Sequence, residues 1–209
     1  MLIYPLQDKT VTDFTIDMRV MFTDKTKLTY FVSGANNRGS NTLLAGMTGI
    51  WTLNGNIFKP PDLVKNLKLN KFYRYTLTRK GRTMRMYWDG KLHYENNRVH
   101  RRSVPRGTYW LLGQDQDRKG GGFDSSQRFI GKMCNFQMWD VGLNKNQMTD
   151  FFKNPKKSSI GKPKLFDNPP SYEYELKDGA SKKEQTGDFK IVVIQCNMLY
   201  IYVCDLPLY

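Results

Sequence analysis

Cysteine is scarce in this chain. Three residues, Cys134, Cys196 and Cys204, are all that 209 positions provide, and an odd count leaves at least one thiol unpaired within the chain. Histidine is scarcer still: His93 and His100 stand seven apart with no cysteine beside them, which excludes a zinc site of the usual spacing. No unbroken apolar run approaches the roughly 18 residues of a membrane-spanning helix. The longest apolar tract, Ile191 to Cys204, is interrupted by Gln195 and Asn197. The opening residues, Met1 to Pro5, lack the basic, apolar and small-residue regions of a signal peptide. Also missing are a Gly-x-Ser-x-Gly elbow, a P-loop, a zincin helix and internal repeats. These absences argue against an enzyme, and no nucleic-acid-binding motif is present.

What is present reads as strands. A chain of this length suits one large all-β domain with a sizeable core. Phe14, Ile16, Met18, Val20 and Phe22 alternate with Thr15, Asp17, Arg19 and Met21, as in a half-buried strand. Met84, Met86 and Trp88 repeat the pattern, and Asp89-Gly90 supplies a tight turn into Leu92-His93-Tyr94. Tyr109 to Leu112 is a short apolar strand, and Phe129 to Trp139 a longer one. One helix is predicted from about Lys145 to Lys153, capped by Asn144, supported by Gln147 and stopped before Pro155. Its apolar face, Met148, Phe151 and Phe152, belongs against a sheet. The pattern is an antiparallel β-sandwich with one short helix.

Charge is one-sided. Thirty-three basic against 19 acidic residues give a net charge of +14. The excess gathers in Arg79 to Arg85, Arg98 to Arg106 and Lys153 to Lys164, where Lys156, Lys157 and Lys162 form a candidate contact for sulphated glycans or other polyanions. Such runs also occur simply as solvated faces.

The acids concentrate elsewhere. Gly113-Gln114-Asp115-Gln116-Asp117 is followed closely by Gly120-Gly121-Gly122-Phe123-Asp124-Ser125-Ser126-Gln127. Hard cations such as calcium take roughly six to eight oxygens from carboxylates, amide and backbone carbonyls and water. On an extended strand end Asp115 and Asp117 point the same way, and Gln116 offers its backbone carbonyl. The glycines let the chain bend back, bringing Asp124 and Gln127 towards the same point. The spacing is not that of an EF-hand. A solvated acidic hairpin is the other reading these residues allow. Paired carboxylates also serve in glycosidases, but three acids with amide carbonyls beside them look more like a cation cage.

The run GQDQDRKGGGFDSSQRFIGKMCNFQMWDVGL resembles the pentraxin family, in which a Gly-Gln-acid-Gln-Asp run, a glycine turn, a Phe-acid pair and a Gln precede a strand ending in Met-Trp-Asp. The resemblance covers Met1 to about Phe189, with Met1 falling inside the family's first part. It leaves residues 190–209 as an apolar extension. It implies a jelly-roll, lectin-like sandwich, and calcium held at Asp115, Gln116, Asp117, Asp124 and Gln127. The family completes the cage with an Asp-Asn pair from a distant loop, which falls on Ser40-Asn41 here. Asn41 keeps its carbonyl, while Ser40 has lost a carboxylate. The implied ligands carry phosphate, carboxylate or glycan oxygens that rest on the calcium. The family's choline-holding positions fall near Gly46 and Phe58, and phosphocholine specificity is not carried over. Secretion, innate pattern recognition and assembly into homo-oligomeric rings are further implications. The competing reading is an adhesion module with weakened calcium binding that meets polyanions through its basic surface. Pentraxins usually carry a disulfide between neighbouring strands; those positions are Asp17 and Arg74 here, so the staple is lost, and either the two opposite charges pair in its place or two surface residues have drifted independently.

Overall fold

The computed structural model describes residues 3–4, 8–24, 30–47, 51–61, 67–100, 102–154, 166–167, 172–176 and 189–193. Fourteen strands fall within them: β1 (Ile3–Tyr4), β2 (Phe14–Phe22), β3 (Tyr30–Asn36), β4 (Gly39–Gly46), β5 (Trp51–Leu53), β6 (Asn56–Phe58), β7 (Phe72–Lys80), β8 (Thr83–Trp88), β9 (Lys91–Asn96), β10 (Tyr109–Leu112), β11 (Gly131–Trp139), β12 (Phe166–Asp167), β13 (Tyr172–Leu176) and β14 (Phe189–Val193). They form two sheets. One runs β1-β10-β3-β4-β5-β6, the other β13-β14-β11-β2-β7-β8-β9, with β12 also paired to β11. Pairing is antiparallel except between β11 and β14. That last strand runs through the expected boundary at residue 189, and residues 194–209 lie outside the described residues.

The alternation expected in β2 is what closes the sandwich. Phe14, Ile16, Met18 and Val20 are fully buried and meet Phe31, Val32, Leu43, Trp51 and Trp110 from the opposing sheet in one core. Rings there meet edge to face, with Phe31 packed on Tyr75 and Phe129 at centroid separations of 5.0 and 5.6 Å. The Asp89–Gly90 turn has both residues at positive φ, 47° and 74°, as a type I′ hairpin requires. The chain leaves β10 one residue after Leu112, and β11 starts at Gly131, two residues later than the sequence pattern suggests.

The other faces of β2, β7 and β8 carry a second layer. Helix α1 (Lys145–Lys153) begins with a complete capping box between Asn144 and Gln147. It buries Met148 and Phe151 against Tyr87, Trp139 and Leu143. Beneath it, Thr15 and Thr78 hydroxyls meet at 3.0 Å, and the Thr78 hydroxyl accepts the Leu143 amide at 2.9 Å, which holds the chain before the helix to the sheet.

Asp17 and Arg74 do pair, but diagonally: Thr76 stands opposite Asp17 and Arg19 opposite Arg74. The Arg74 guanidinium donates from Nε to Asp17 Oδ1 at 2.9 Å and from its terminal nitrogen to Oδ2 at 3.1 Å. The Thr76 hydroxyl adds a bond of 2.5 Å to the same carboxylate. Phe151 and Phe152 cover the guanidinium, each ring 4.9 Å away. The side chains are only 12% and 11% exposed, so the pair lies in the layer under α1 and differs from a surface salt bridge. Arg79 is also buried. Its guanidinium donates to the carbonyls of Gly81, His100 and Arg102, so its charge is not part of a solvated basic face. Burial lowers its pKa.

Removing one partner of a buried ion pair strands the other charge, typically at a cost of about 3–5 kcal/mol. Asp17→Ala should therefore destabilise the fold by about 3 kcal/mol in chemical denaturation. A double-mutant cycle with Arg74→Ala should recover much of that loss. Additive single effects would mean that the two groups do not act as a pair.

Candidate functional site

The acidic loop leaves the six-stranded sheet from β10, next to the edge strand β1, and leads into β11 of the other sheet. Gly113, at φ 80°, turns the chain out of β10. Its amide donates to the Phe31 carbonyl and its own carbonyl accepts the Phe129 amide, so both ends of the loop are tied at one point. Because the strand ends at Leu112, Asp115 and Asp117 do not share a strand face: Asp115 is buried and Asp117 exposed. This departs from the same-side arrangement that two-residue spacing suggests.

Gln116 is the loop's inner anchor. Its side-chain nitrogen donates to the carbonyls of Ser33 and Tyr109 at 2.9 and 3.0 Å, and its side-chain oxygen accepts the Gly120 amide at 2.9 Å. The amide group is thus committed to the fold, and only the backbone carbonyl of Gln116 is left to serve a cation. Beside it, Asp115 Oδ1 accepts the Ser33 hydroxyl at 3.2 Å and the Gln116 amide at 2.8 Å. Desolvation is nonetheless the larger effect, and with the neighbouring charges of Asp117 and Asp124 it raises the Asp115 pKa from 3.8 to about 6.

The outer half of the loop folds back. Asp117 bonds to the Gly122 carbonyl through its amide, and Arg118 and Gly121 exchange two backbone bonds. A side chain at Gly122, φ 71°, would sit 2.9 Å from the Asp117 Cβ, so the return strand fits only without one. Asp124 then caps a short 3-10 turn, Ser125–Gln127, accepting the Ser126 amide at 2.8 Å. That bond, with one from the Ser126 hydroxyl, holds its carboxyl below the usual range. Gln114 reaches across to donate to the Asp124 carbonyl at 2.8 Å.

Two amide oxygens stand out. Gln127 Oε1 and Asn41 Oδ1 are both buried without a hydrogen-bond partner. Asn41 lies in β4 at φ 58°, its carbonyl bonded by the Thr52 hydroxyl, beside an exposed Ser40. An unsatisfied buried amide oxygen is costly, and each of these two is left open to a donor or a cation.

Among the described residues no three His, Cys, Asp or Glu side chains gather closely enough to hold a metal by themselves. Asp115 feels both other acids electrostatically, but Asp117 and Asp124 remain exposed. The loop itself offers oxygens of three kinds: carboxylates, the side-chain oxygen of Gln127 and the backbone carbonyl of Gln116. Sequence reasoning missed Ser33 and Gln114, which position this set. The signal for Ser33 was a lone hydroxyl in the apolar run Tyr30 to Ala35. Lys156, Lys157 and Lys162 lie outside the described residues.

A family model described as the Pentaxin family matches residues 4–179. The chain is 50% identical to human Pentraxin-4 over 40 residues, 19% of this chain and 8% of that one. It is 33% identical to rat Neuronal pentraxin-1 over 93 residues, 44% of this chain and 21% of that one. The matched stretches thus span a small part of these curated relatives. Among solved structures, a native heptameric SAP-like pentraxin from Limulus polyphemus superposes with a TM-score of 0.64 at 17% identity, covering 98% of this chain and 90% of that chain. A chain whose two sheets and loop match this family over most of its length has a definite place: it belongs to the pentraxin family, and its fold is the pentraxin jelly-roll sandwich.

The Asp115 shift has a sign that can be checked. The folded protein binds this proton more tightly than the unfolded chain, so its stability contribution is fully present below pH 3.8 and is lost as pH rises through about 6. In chelator, melts across that window should show this loss. Asp115→Asn should remove it and be more stable than the parent at neutral pH. A variant less stable than the parent at neutral pH in chelator would contradict the assignment.

Proposed function

We propose that this pentraxin module binds ligands through calcium, with phosphate, carboxylate or glycan oxygens of the ligand resting on the ion. The observations that carry the reading are the unpartnered buried amide oxygens Asn41 Oδ1 and Gln127 Oε1, together with a desolvated Asp115. Asp115, Asp117 and Asp124 would supply charge, Asn41 and Gln127 neutral oxygens, and Gln116 its backbone carbonyl. Calcium supplies a Lewis-acidic seat for the ligand's oxyanion; the chain's own residues hold that seat in place. Gln116 and Gln114 brace the loop from within, and Gly122 lets its outer strand close on Asp117. Ser40 offers a hydroxyl where the family pattern has a carboxylate, which favours weaker or fewer calcium ions. Binding, not catalysis, is the activity this donor set supports. Family membership supports a secreted protein.

Calcium that binds only the folded state stabilises it by mass action, about 2.7 kcal/mol when the free ion is a hundredfold above its Kd. Calcium should therefore raise the melting temperature. Magnesium, which prefers a tighter octahedron and holds its waters, should do so much less. Asp117→Asn should remove most of the effect, and Ser40→Asp should enlarge it. Melting curves identical in millimolar calcium and in chelator would sink the proposal and favour the adhesion reading through Lys156, Lys157 and Lys162.

We further propose self-association, supported by family membership and by the heptameric description of the Limulus relative. Residues 190–209 begin within β14, which pairs with β11 and β13 at one side of the eight-stranded sheet. Deleting them should change the assembly size in light scattering while circular dichroism still reports a folded sandwich. A monomer with and without these residues would refute this.

A further inference from the structure

A second recess lies beside the same sheet, outside the proposed cation site. An open cleft of about 420 Å³ is lined by Thr10, Asn36, Asn37, Arg38, Pro105, Arg106, Gly107 and Lys119. Three of its residues are cationic and none is acidic. Arg38, Arg106 and Lys119 are all exposed, and among the described residues none of them forms an ion pair. Each comes from a different segment: the turn between β3 and β4, the approach to β10, and the tip of the acidic loop.

Local bonds fix the cleft's walls. The Arg38 amide donates to the Asn36 side-chain oxygen at 2.9 Å, which shapes the β3–β4 turn. The Arg106 amide donates to the Thr10 hydroxyl at 3.3 Å, joining the two remaining walls. Lys119 stands 5.8 Å from the centre of the Tyr109 ring, which positions its ammonium. Its place at the loop tip follows from Gln116, whose side chain anchors Gly120.

Three unpaired cations converging on one recess attract a multiply charged anion, since guanidinium groups match tetrahedral oxyanions in bidentate fashion. Asn37 and Thr10 add neutral polar groups suited to hydroxyls. The volume falls within the roughly 300–1,000 Å³ of small-molecule sites. The lining holds no aromatic ring on which a nucleobase could stack.

We propose that this cleft is a calcium-independent subsite for a saccharide bearing a sulfate or phosphate ester, held by Arg38, Arg106 and Lys119. It does not rest on the calcium reading. Arg38 lies two residues before Ser40, and Lys119 two residues after Asp117, so one extended ligand could meet both sites.

The test is titration of the full chain, in chelator, with glucosamine 6-sulfate, glucose 6-phosphate and neutral glucose, read by NMR shift changes or calorimetry. Both charged sugars should bind, more weakly as salt is raised, and glucose should not. The two esters separate sulfate from phosphate preference. Arg38→Glu, Arg106→Glu and Lys119→Glu should each weaken binding about tenfold or more, as expected for loss of a charge-assisted contact. All three side chains are exposed, so melting temperatures in chelator should stay near the parent's, and so should the calcium-induced rise if calcium binds as proposed. No binding in chelator, equal binding by the variants, or shift changes confined to the acidic loop would each overturn the subsite. None of those outcomes bears on whether calcium stabilises the fold.

Discussion

The functional end of this molecule depends on one side chain spanning two strands. Gln116 bonds to carbonyls of β3 and β10 and to the Gly120 amide. A loop of 113–129 left to itself would sample many conformations, because ordering each backbone residue costs about 1–2 kcal/mol in lost entropy. Gln116 anchors the loop's middle while Gly113 fixes both ends. Everything outward then has a defined place: Asp115 turned in, Asp117 turned out, Asp124 capping the 3-10 turn, Lys119 at the cleft. A neutral amide suits this role because it offers both donors and an acceptor without adding charge to an acidic loop.

Stability comes from the opposite sheet. Where the family resemblance implies a disulfide, β2 and β7 are joined by the Asp17–Arg74 pair with Thr76 on the same carboxylate. A disulfide constrains the unfolded chain, whereas this arrangement acts only in the folded state. It also differs in reach. Through Phe151 and Phe152 the guanidinium couples the sheet to α1, so the ion pair holds three elements where a staple would hold two. A thiol-independent link of this kind suits a chain whose described cysteine, Cys134, is buried within β11.

Regular elements were legible in the sequence wherever a side-chain period decided them. The β2 core face, the Asp89–Gly90 turn and the Asn144–Gln147 capping box appear as read, because each is a local rule with few competitors, whereas the other face of β2, read as half-exposed, is buried too. The site was legible in composition but not in direction. Two-residue spacing predicts a shared face for Asp115 and Asp117 only if the strand continues, and Gly113 ends it. Arg79 reads as one more surface charge because nothing local reports that backbone carbonyls 21 and 23 residues away surround it. The Asp17–Arg74 pairing was suggested by position, yet its diagonal register and aromatic cover depend on a helix some 130 residues later than Asp17. Long-range packing of that sort leaves no periodic trace.

The energetics of the loop explain why its parts are worth keeping together. Asp115 is held away from water with only two hydrogen bonds to compensate, and two further carboxylates raise the cost of ionising it. Asn41 and Gln127 each leave a buried oxygen unmatched on neighbouring segments. A fold selected for stability alone could relieve these costs with apolar or paired side chains. Costs of this kind, left in place by the fold, are expected where function requires them. A hard cation bound as proposed would relieve such costs by neutralising the carboxylates and taking amide oxygens as ligands.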